Sequence, residues 1–257
     1  MHRFFLPEHS LQGNRVIFPV LQARQIVRVL RLGVGDCVVV LFDNGMEYEV
    51  VLDEVNRSRV QGVVRAQRYA SGEPMVELAL FVSLTQREKF EWILQKCTEA
   101  GVSLFCPYVS SRSLTQETSA VEAKYVRWNH ILREAAEQSG RGRVPRLRPP
   151  LRFAQALHEV RNSNGLALIF WEGEGGISLR AMLADVPFCG KVSLFIGPEG
   201  GFSEEEIRQA QAFGLYPVSL GRRILRMETA ALAASVLVLY ELEDREGQSS
   251  GGGAAGP

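Results

Sequence analysis

The chain has 257 residues, 46% of them hydrophobic, and 29 Lys/Arg balance 29 Asp/Glu. That length can bury a core in one large domain or two, while a net charge of zero identifies no partner. Cys37, Cys97, Cys106 and Cys189 lack C-x-x-C spacing, and His2, His9, His130 and His158 form no ligand cluster, so no metal site is expected. The N-terminus has no apolar signal region, and the longest apolar run, Ala230–Tyr240, is too short to span a bilayer. The expectation is a soluble cytoplasmic protein with no membrane association and with buried free thiols in a reducing compartment.

Residues 1–70 read as β-rich. Cys37–Phe42 and Glu47–Val55 are β-branched runs joined by Asp43-Asn44-Gly45, a hairpin signal. Arg59–Arg68 continues the alternation. Between Pro19 and Gly33 lies a short helix with Leu21, Ile26, Val27 and Leu30 expected inward and Arg24, Arg28 and Arg31 outward. A small barrel with a basic helix fits an RNA-binding module. An ordinary solvated helix face is the competing reading.

Ala70–Pro74 reads as a linker, and the pattern then changes to alternating strands and helices. Strands are expected at Val76–Val82, Val102–Val109, Leu166–Trp171, Lys191–Ile196 and Tyr216–Leu220. Helices are expected at Arg87–Ala100, Glu122–Ser139, Arg152–Val160, Leu179–Ala184, Glu204–Phe213 and Leu225–Glu241. Gly101 and Gly214 sit where two of them should end. This alternation predicts an α/β domain around a mostly parallel sheet over residues 75–243. Gly247–Pro257 reads as a disordered tail.

The most informative stretch is Val192–Glu206. An apolar strand breaks into Gly197-Pro198-Glu199-Gly200-Gly201, and Ser203-x-x-Glu206 is a capping box that opens a helix. Such a turn suits a ligand at the carboxyl end of a strand. Glu199 and Glu204–Glu206 argue against a phosphate, because a carboxylate ~4 Å away costs ~4 kcal/mol at an effective dielectric of ~20. No Lys lies in the turn. A neutral or cationic ligand is expected. Two further strands end in Glu172–Gly176 and in Gly221-Arg222-Arg223-Ile224. If the three strands are neighbours, their turns converge on one crevice.

Charge is uneven along the chain. Residues 124–152 hold eight Lys/Arg against two Asp/Glu. Gly140, Gly142 and Pro145 interrupt this basic window, which reads as a helix end running into a loop able to shape itself to RNA.

Ile196–Ser203, with Leu220-Gly221-Arg222-Arg223-Ile224-Leu225-Arg226-Met227-Glu228-Thr229-Ala230, resembles the signature pair of the RsmE family. That family comprises the 16S ribosomal RNA (uracil-N3)-methyltransferases of the SPOUT superfamily. Lys96–Val102, Ser111-Arg112-Ser113, Glu134–Arg141 and Arg3-Phe4-Phe5 add to the likeness, which covers roughly Met1 to Glu241. Met227 stands where Thr is usual and Ala100 where Leu is usual. The resemblance implies an N-terminal PUA-like RNA-binding β-barrel (1–70). It also implies a SPOUT-type α/β methyltransferase domain (75–243) with a C-terminal trefoil knot, a homodimer, and S-adenosylmethionine as donor. The phosphate-free cationic donor agrees with the acidic turns.

By position, donor binding falls to Glu172, Gly173, Ile196, Gly197, Pro198, Glu199, Gly200, Gly201, Leu220, Gly221, Ile224 and Leu225. Leu220, Ile224 and Leu225 would supply apolar walls, or plain core. Transfer to uracil N3 requires alignment, loss of the N3 proton and stabilisation of negative charge on the ring. The expected carriers are Arg141 for the uracil oxygens, Gln138 for the imide and Glu137 for the proton. Arg226 and Glu228 are second candidates. Arg3, Arg24, Arg28, Arg31, Arg112, Arg143, Arg146 and Arg148 are expected RNA contacts, and Arg141 would join them if it is only a phosphate clamp. The partner implied is 16S ribosomal RNA or the small subunit. Two alternatives stand beside this reading: the same fold acting on another RNA, and a non-catalytic ribosome-assembly protein.

Overall fold

The structure is a computed structural model that describes residues 1–113, 124–161, 164–173, 176–184, 186 and 189–250, with the backbone alone for 244–250. The chain divides into two compact units, Met1–Glu73 with Arg133–Val144, and Pro74–Leu132 with Pro145–Pro257. The division falls within the expected linker, but a short stretch of the later sequence returns to the first unit.

The first unit holds β1 (Arg3–Phe5), β2 (Leu11–Gln12), β3 (Arg15–Ile17), α1 (Val20–Arg24), β4 (Cys37–Leu41), β5 (Met46–Val55) and β6 (Val60–Tyr69). They form one sheet in the order β1-β4-β5-β6-β3-β2. The expected hairpin is present, with Asp43 and Gly45 both at positive φ. The Val38–Leu41 run is apolar without alternation because both its faces are buried. Val38 and Val40 pack with Phe4, Ile26 and Val50, while Val39 and Leu41 pack with Phe5 and Ala136. The helix after Pro19 differs from expectation. It is α-helical to Arg24 and π-helical over Gln25–Leu30, ending at Arg31 with φ 54°. Ala23 and Ile26 face the core, and Leu21 points out, 74% exposed. Val27 and Leu30 pack against the same core, so the buried face keeps the spacing of 23, 26, 27 and 30, and Leu21 lies off it.

The second unit contains β7 (Glu77–Ser83), α2 (Arg87–Glu99), β8 (Leu104–Val109), β9 (Arg146–Leu147), β10 (Leu151–Arg152), α4 (Phe153–Arg161), β11 (Leu166–Phe170), β12 (Ile177–Ser178), α5 (Leu179–Ala184), β13 (Lys191–Ile196), α6 (Glu204–Ala212), β14 (Tyr216–Ser219) and α7 (Met227–Ser250). Helix α3 (Tyr125–Ser139) contributes residues to both units. The sheet is parallel throughout, in the order β10-β8-β7-β13-β11-β14-β12, with β9 also on β8. Every strand and helix expected after residue 75 is found, with bounds within a few residues except at the end of the last helix. The start of the helix expected from Glu122 lies outside the described residues. Gly101 and Gly214 take positive φ where α2 and α6 end.

Two expectations are corrected here. The basic stretch after Gly140 is not a free loop, because β9 and β10 stitch Arg146–Leu147 and Leu151–Arg152 onto β8. Helix α7 runs to Ser250, four residues into the expected tail, and 251–257 lie outside the described residues. Among the described residues no helix is long and apolar enough to cross a membrane.

The centre of this unit is aromatic. Phe81 and Phe195 stack at 4.4 Å on neighbouring strands β7 and β13. Tyr108 packs beside Phe195, fully buried, and donates its hydroxyl hydrogen to the Ile196 carbonyl at 2.8 Å. This bond fixes the carboxyl end of β13, where its turn begins. Helix α7 presents Ala231, Ala234 and Ser235 inward and packs on α2, and such small residues permit a close approach. Met227, at the position where the resemblance leads one to expect Thr, is 5% exposed.

Candidate active site

Strands β13, β11 and β14 are neighbours in that order, and Phe170 stands level with both Ile196 and Val218. Their turns therefore open at one height and converge, as the sequence pattern requires. They enclose a cavity of about 580 Å³ lined by Phe170–Glu172, Ile196–Phe202, Val218–Gly221 and Arg223–Glu228, with Lys89 and Ala230. Small-molecule sites typically measure ~300–1,000 Å³.

Gly221 stands at φ 115°, a conformation open in practice to glycine alone. The Ser219 hydroxyl secures it, accepting from the Gly221 N–H and donating to its carbonyl, both at 3.1 Å. At Gly197 a β-carbon would lie 3.0 Å from the Phe202 ring, a tight contact that the bare glycine avoids. Opposite, Arg112 donates to the Gly200 carbonyl at 3.0 Å.

Of the expected donor-binding positions, Glu172, Ile196–Gly201, Leu220, Gly221, Ile224 and Leu225 all line this cavity. Gly173 is described beside it, where a β-carbon would fall 2.1 Å from the Trp171 ring. Glu174 and Gly175 lie outside the described residues. Leu220 and Leu225 are half-buried, while Ile224 is 81% exposed and so is not core.

The acid surplus of the central turn is smaller than the sequence suggests. Glu199 accepts from the Thr85 hydroxyl and from Lys89 Nζ at 3.1 Å. Burial raises its pKa, but the Thr85 bond and the Lys89 charge outweigh that and hold the carboxyl below its usual range. Glu206 is buried and turned onto Ser111 and Ser203. Glu204 and Glu205 face solvent and pair with Arg208. The electrostatic argument against a phosphate is therefore weaker than expected, because Lys89 and Thr85 come from a distant stretch that no motif at the turn announces.

The expected catalytic residues fall in different units. Arg226 is exposed and lines the cavity of the second unit. Glu228 lines it too, with Oε2 buried and without a hydrogen-bond partner. Glu137, Gln138 and Arg141 belong to the first unit. Glu137 accepts the Phe5 N–H at 2.9 Å. Arg141 is 2% exposed and pairs with both oxygens of Glu73 at 3.2–3.3 Å. Glu73 also accepts the N–H groups of Gly142 and Arg143. Gln138 is exposed.

The expected RNA contacts divide in the same way. Arg24, Arg28 and Arg31 are exposed with no ion pair among the described residues. Arg3 is largely covered and bonded to Glu47 and to the Gly140 carbonyl. Arg112 serves the Gly200 turn. Arg146 pairs with Glu77 and Arg148 with Glu159, although both side chains remain more than half exposed. Arg143 is exposed and reaches the Asn44 carbonyl at 3.4 Å. Among the described residues no cluster of His, Cys, Asp or Glu could hold a metal.

Residues 72–239 match the family model for RNA methyltransferase domains. Over 241 residues the chain is 31% identical to ribosomal RNA small subunit methyltransferase E of Bacillus subtilis, covering 92% of this chain and 91% of that protein. It is 33% identical over 237 residues to the protein of the same name from Synechocystis, covering 92% of this chain and 76% of that one. The crystal structure of a ribosomal RNA small subunit methyltransferase E from Neisseria gonorrhoeae bound to S-adenosyl methionine superposes with TM-score 0.83 at 29% identity, over 93% of this chain and 97% of that one. A cofactor-bound methyltransferase from Legionella pneumophila gives 0.79 at 29%, over 92% and 96%. With its converging glycine turns and this similarity along nearly its whole length, the chain belongs to the RsmE family of S-adenosylmethionine-dependent ribosomal RNA methyltransferases.

Proposed function

We propose that this chain methylates N3 of a uridine in 16S ribosomal RNA, with S-adenosylmethionine as methyl donor. The observation that carries the reading is the cavity closed by three glycine-containing turns on adjacent parallel strands, in a chain whose relatives include a donor-bound enzyme. The cavity suits the donor in volume, in its bare backbone at Gly197 and Gly221, and in its half-apolar wall. Glu172, Gly173, Ile196–Gly201, Leu220, Gly221, Ile224 and Leu225 would hold it there. When bound, the donor supplies an electrophilic methyl group on a sulfonium.

The protein's own part is to orient, to exclude water and to manage charge. Backbone groups of the Gly197–Gly201 and Leu220–Leu225 turns would receive the donor's hydrogen bonds. Arg226, charged and facing the cavity, is placed to stabilise negative charge on a uracil ring that has lost its N3 proton. Glu137 and Arg141 already hold partners in the first unit, so no chemical step is assigned to them.

Four finer readings belong to the same proposal. The first unit acts as a PUA-like RNA-binding barrel, supported by its six-stranded sheet and the exposed Arg24, Arg28 and Arg31. The C-terminal part is knotted, supported by β14 lying across β11 from β13. The working form is a homodimer, supported by Val236, Leu237 and Tyr240, which leave an apolar stripe on α7. A ribosomal RNA substrate places the protein in the cytoplasm.

A methyl on N3 blocks Watson–Crick pairing, so reverse transcription stops one nucleotide before the modified base. In 16S RNA from a deletion strain that stop should vanish, and complementation should restore it. An unchanged pattern of stops removes the ribosomal reading.

A further inference from the structure

In the first unit, β6 is paired on one side with β5 as far as Tyr69 opposite Met46. On its other side, β3 covers only Gln61–Val63, and the Val64 N–H reaches the Asn14 carbonyl. Beyond that the edge is open, and five consecutive residues, Arg65–Tyr69, are all exposed. The outer edge of β6 is thus open along this stretch, although its β5 partner Tyr48 packs on the core.

Gln67 and Tyr69 alternate onto one face, and Arg65 sits beside them at a bulge, where β5 pairs Val50 with Val64 but Glu49 with Ala66. Tyr69 is 83% exposed and stacks on no other ring among the described residues. Arg65 and Gln67 have no side-chain partner among the described residues. Arg68, on the opposite face, shares Glu47 with Arg3. Arg143 stands at the end of this stretch. Its guanidinium lies over Gly45, whose carbonyl accepts the Ala70 N–H at 2.9 Å. Arg3 and Arg68 thus share the Glu47 carboxylate, while Arg65 and the unstacked Tyr69 ring lie along the exposed end of β6 and Arg143 stands beside Gly45 at its close.

An open strand edge invites another strand, and charged side chains along it discourage that. An exposed ring flanked by cations instead fits a nucleic-acid strand, with a base on the ring and phosphates on the cations. We propose that Arg65–Tyr69 is a docking strip for single-stranded ribosomal RNA, in which Tyr69 stacks on one base, Gln67 bonds a base edge, and Arg65 and Arg143 bind phosphates. The proposal rests on the RNA-substrate reading given above.

The test uses the full chain and unmodified 16S RNA transcript, with RNA binding, methyl transfer and donor binding measured separately. Tyr69→Ala should weaken RNA binding about 5- to 150-fold, the range for loss of one base–aromatic stack. Tyr69→Phe should stay within about twofold, since the ring is kept. Arg65→Gln should lower the slope of log affinity against log salt by about 0.7, one phosphate contact to a single strand. Affinity for S-adenosylmethionine should be unchanged in all three. If Tyr69→Ala binds the RNA as the wild type does, or Arg65→Gln keeps the full salt slope, the strip is wrong. Wild-type protein that binds 16S RNA without methylating it overturns the proposed function instead, and the variants still decide the strip.

Discussion

Glu206 offers the strongest test of how the central turn is held. Its Oε1 accepts from the Ser111 N–H and hydroxyl, both at 3.0 Å, and its Oε2 accepts from the Ser203 N–H at 2.9 Å. The Ser203 hydroxyl accepts the Glu206 N–H in return, which completes the capping box. One buried carboxylate thus ties the start of α6 to the Ser110–Ser113 loop, and Arg112 of that loop holds the Gly200 carbonyl. Each hydrogen bond to a charged group is worth about 1.5–3 kcal/mol. Counting only the two backbone donors, Glu206→Ala should cost about 3–6 kcal/mol. At ~2–4 °C per kcal/mol for a chain of this size, the melting temperature should fall by about 6–24 °C. Glu206→Gln keeps one acceptor oxygen and should lose about half as much. The assay is urea unfolding with thermal melts, paired with calorimetric titration of S-adenosylmethionine, whose affinity should also fall. Glu206→Ala within about 0.5 kcal/mol of wild type, the range of ordinary surface substitutions, would refute this account of the turn.

Other consequences follow from named contacts. Arg141→Ala breaks a pair whose guanidinium is buried and should destabilise the chain by about 3 kcal/mol, seen as a lower urea midpoint; an unchanged midpoint would return Arg141 to the list of free RNA or catalytic groups. Gly221→Ala forces a side chain into φ 115° and should cost about 1–3 kcal/mol, with weaker donor binding by calorimetry. The Arg127 hydrogen bonds, and after them those of Arg87, hold Glu91 down from 4.5 to about 2 against the opposing effect of burial. A depressed carboxyl contributes stability that is complete above pH 4.5 and lost as pH falls toward 2. Glu91→Gln should therefore remove part of the difference in urea midpoint between pH 5 and pH 3, and a variant with the full difference would contradict the assignment. Burial pushes the Cys97 and Cys106 thiols up to about 12, whereas Cys37 is exposed. A thiol reagent on native protein should label Cys37 first and Cys97 and Cys106 only on unfolding.

Much of this was readable from local pattern. β13 begins and ends where its apolar run does, and Ser203-x-x-Glu206 forms its capping box. These features depend on neighbouring residues, which sequence displays directly. The convergence of three turns was conditional on strand adjacency, and the order β13-β11-β14 supplies it. Partners distant in the chain were not readable. Lys89 neutralises Glu199 from 110 residues away, and Ser111 caps Glu206 from 95. The turn's acidity was therefore overrated, because each carboxylate was counted without its partner. The pairing of Arg141 was hidden for the same reason. A basic residue after a helix looks free until Glu73, 68 residues earlier, is placed beside it. The expectation of buried thiols holds for Cys97 and Cys106 but not for Cys37, which opens its strand at the surface. Leu21 was misplaced because it lies off the i, i+3, i+4, i+7 face that Ala23, Ile26, Val27 and Leu30 present to the core.

The central claim is that the three-turn cavity serves methyl transfer to uracil N3 of 16S ribosomal RNA. The most direct measurement incubates the purified chain with methyl-labelled S-adenosylmethionine and unmodified 16S RNA or small subunits, then digests the RNA and separates its nucleosides. The account predicts label in 3-methyluridine, lost when Gly221→Ala disables the cavity. Label in a different nucleoside, or none in either substrate from protein that binds the donor, would contradict it.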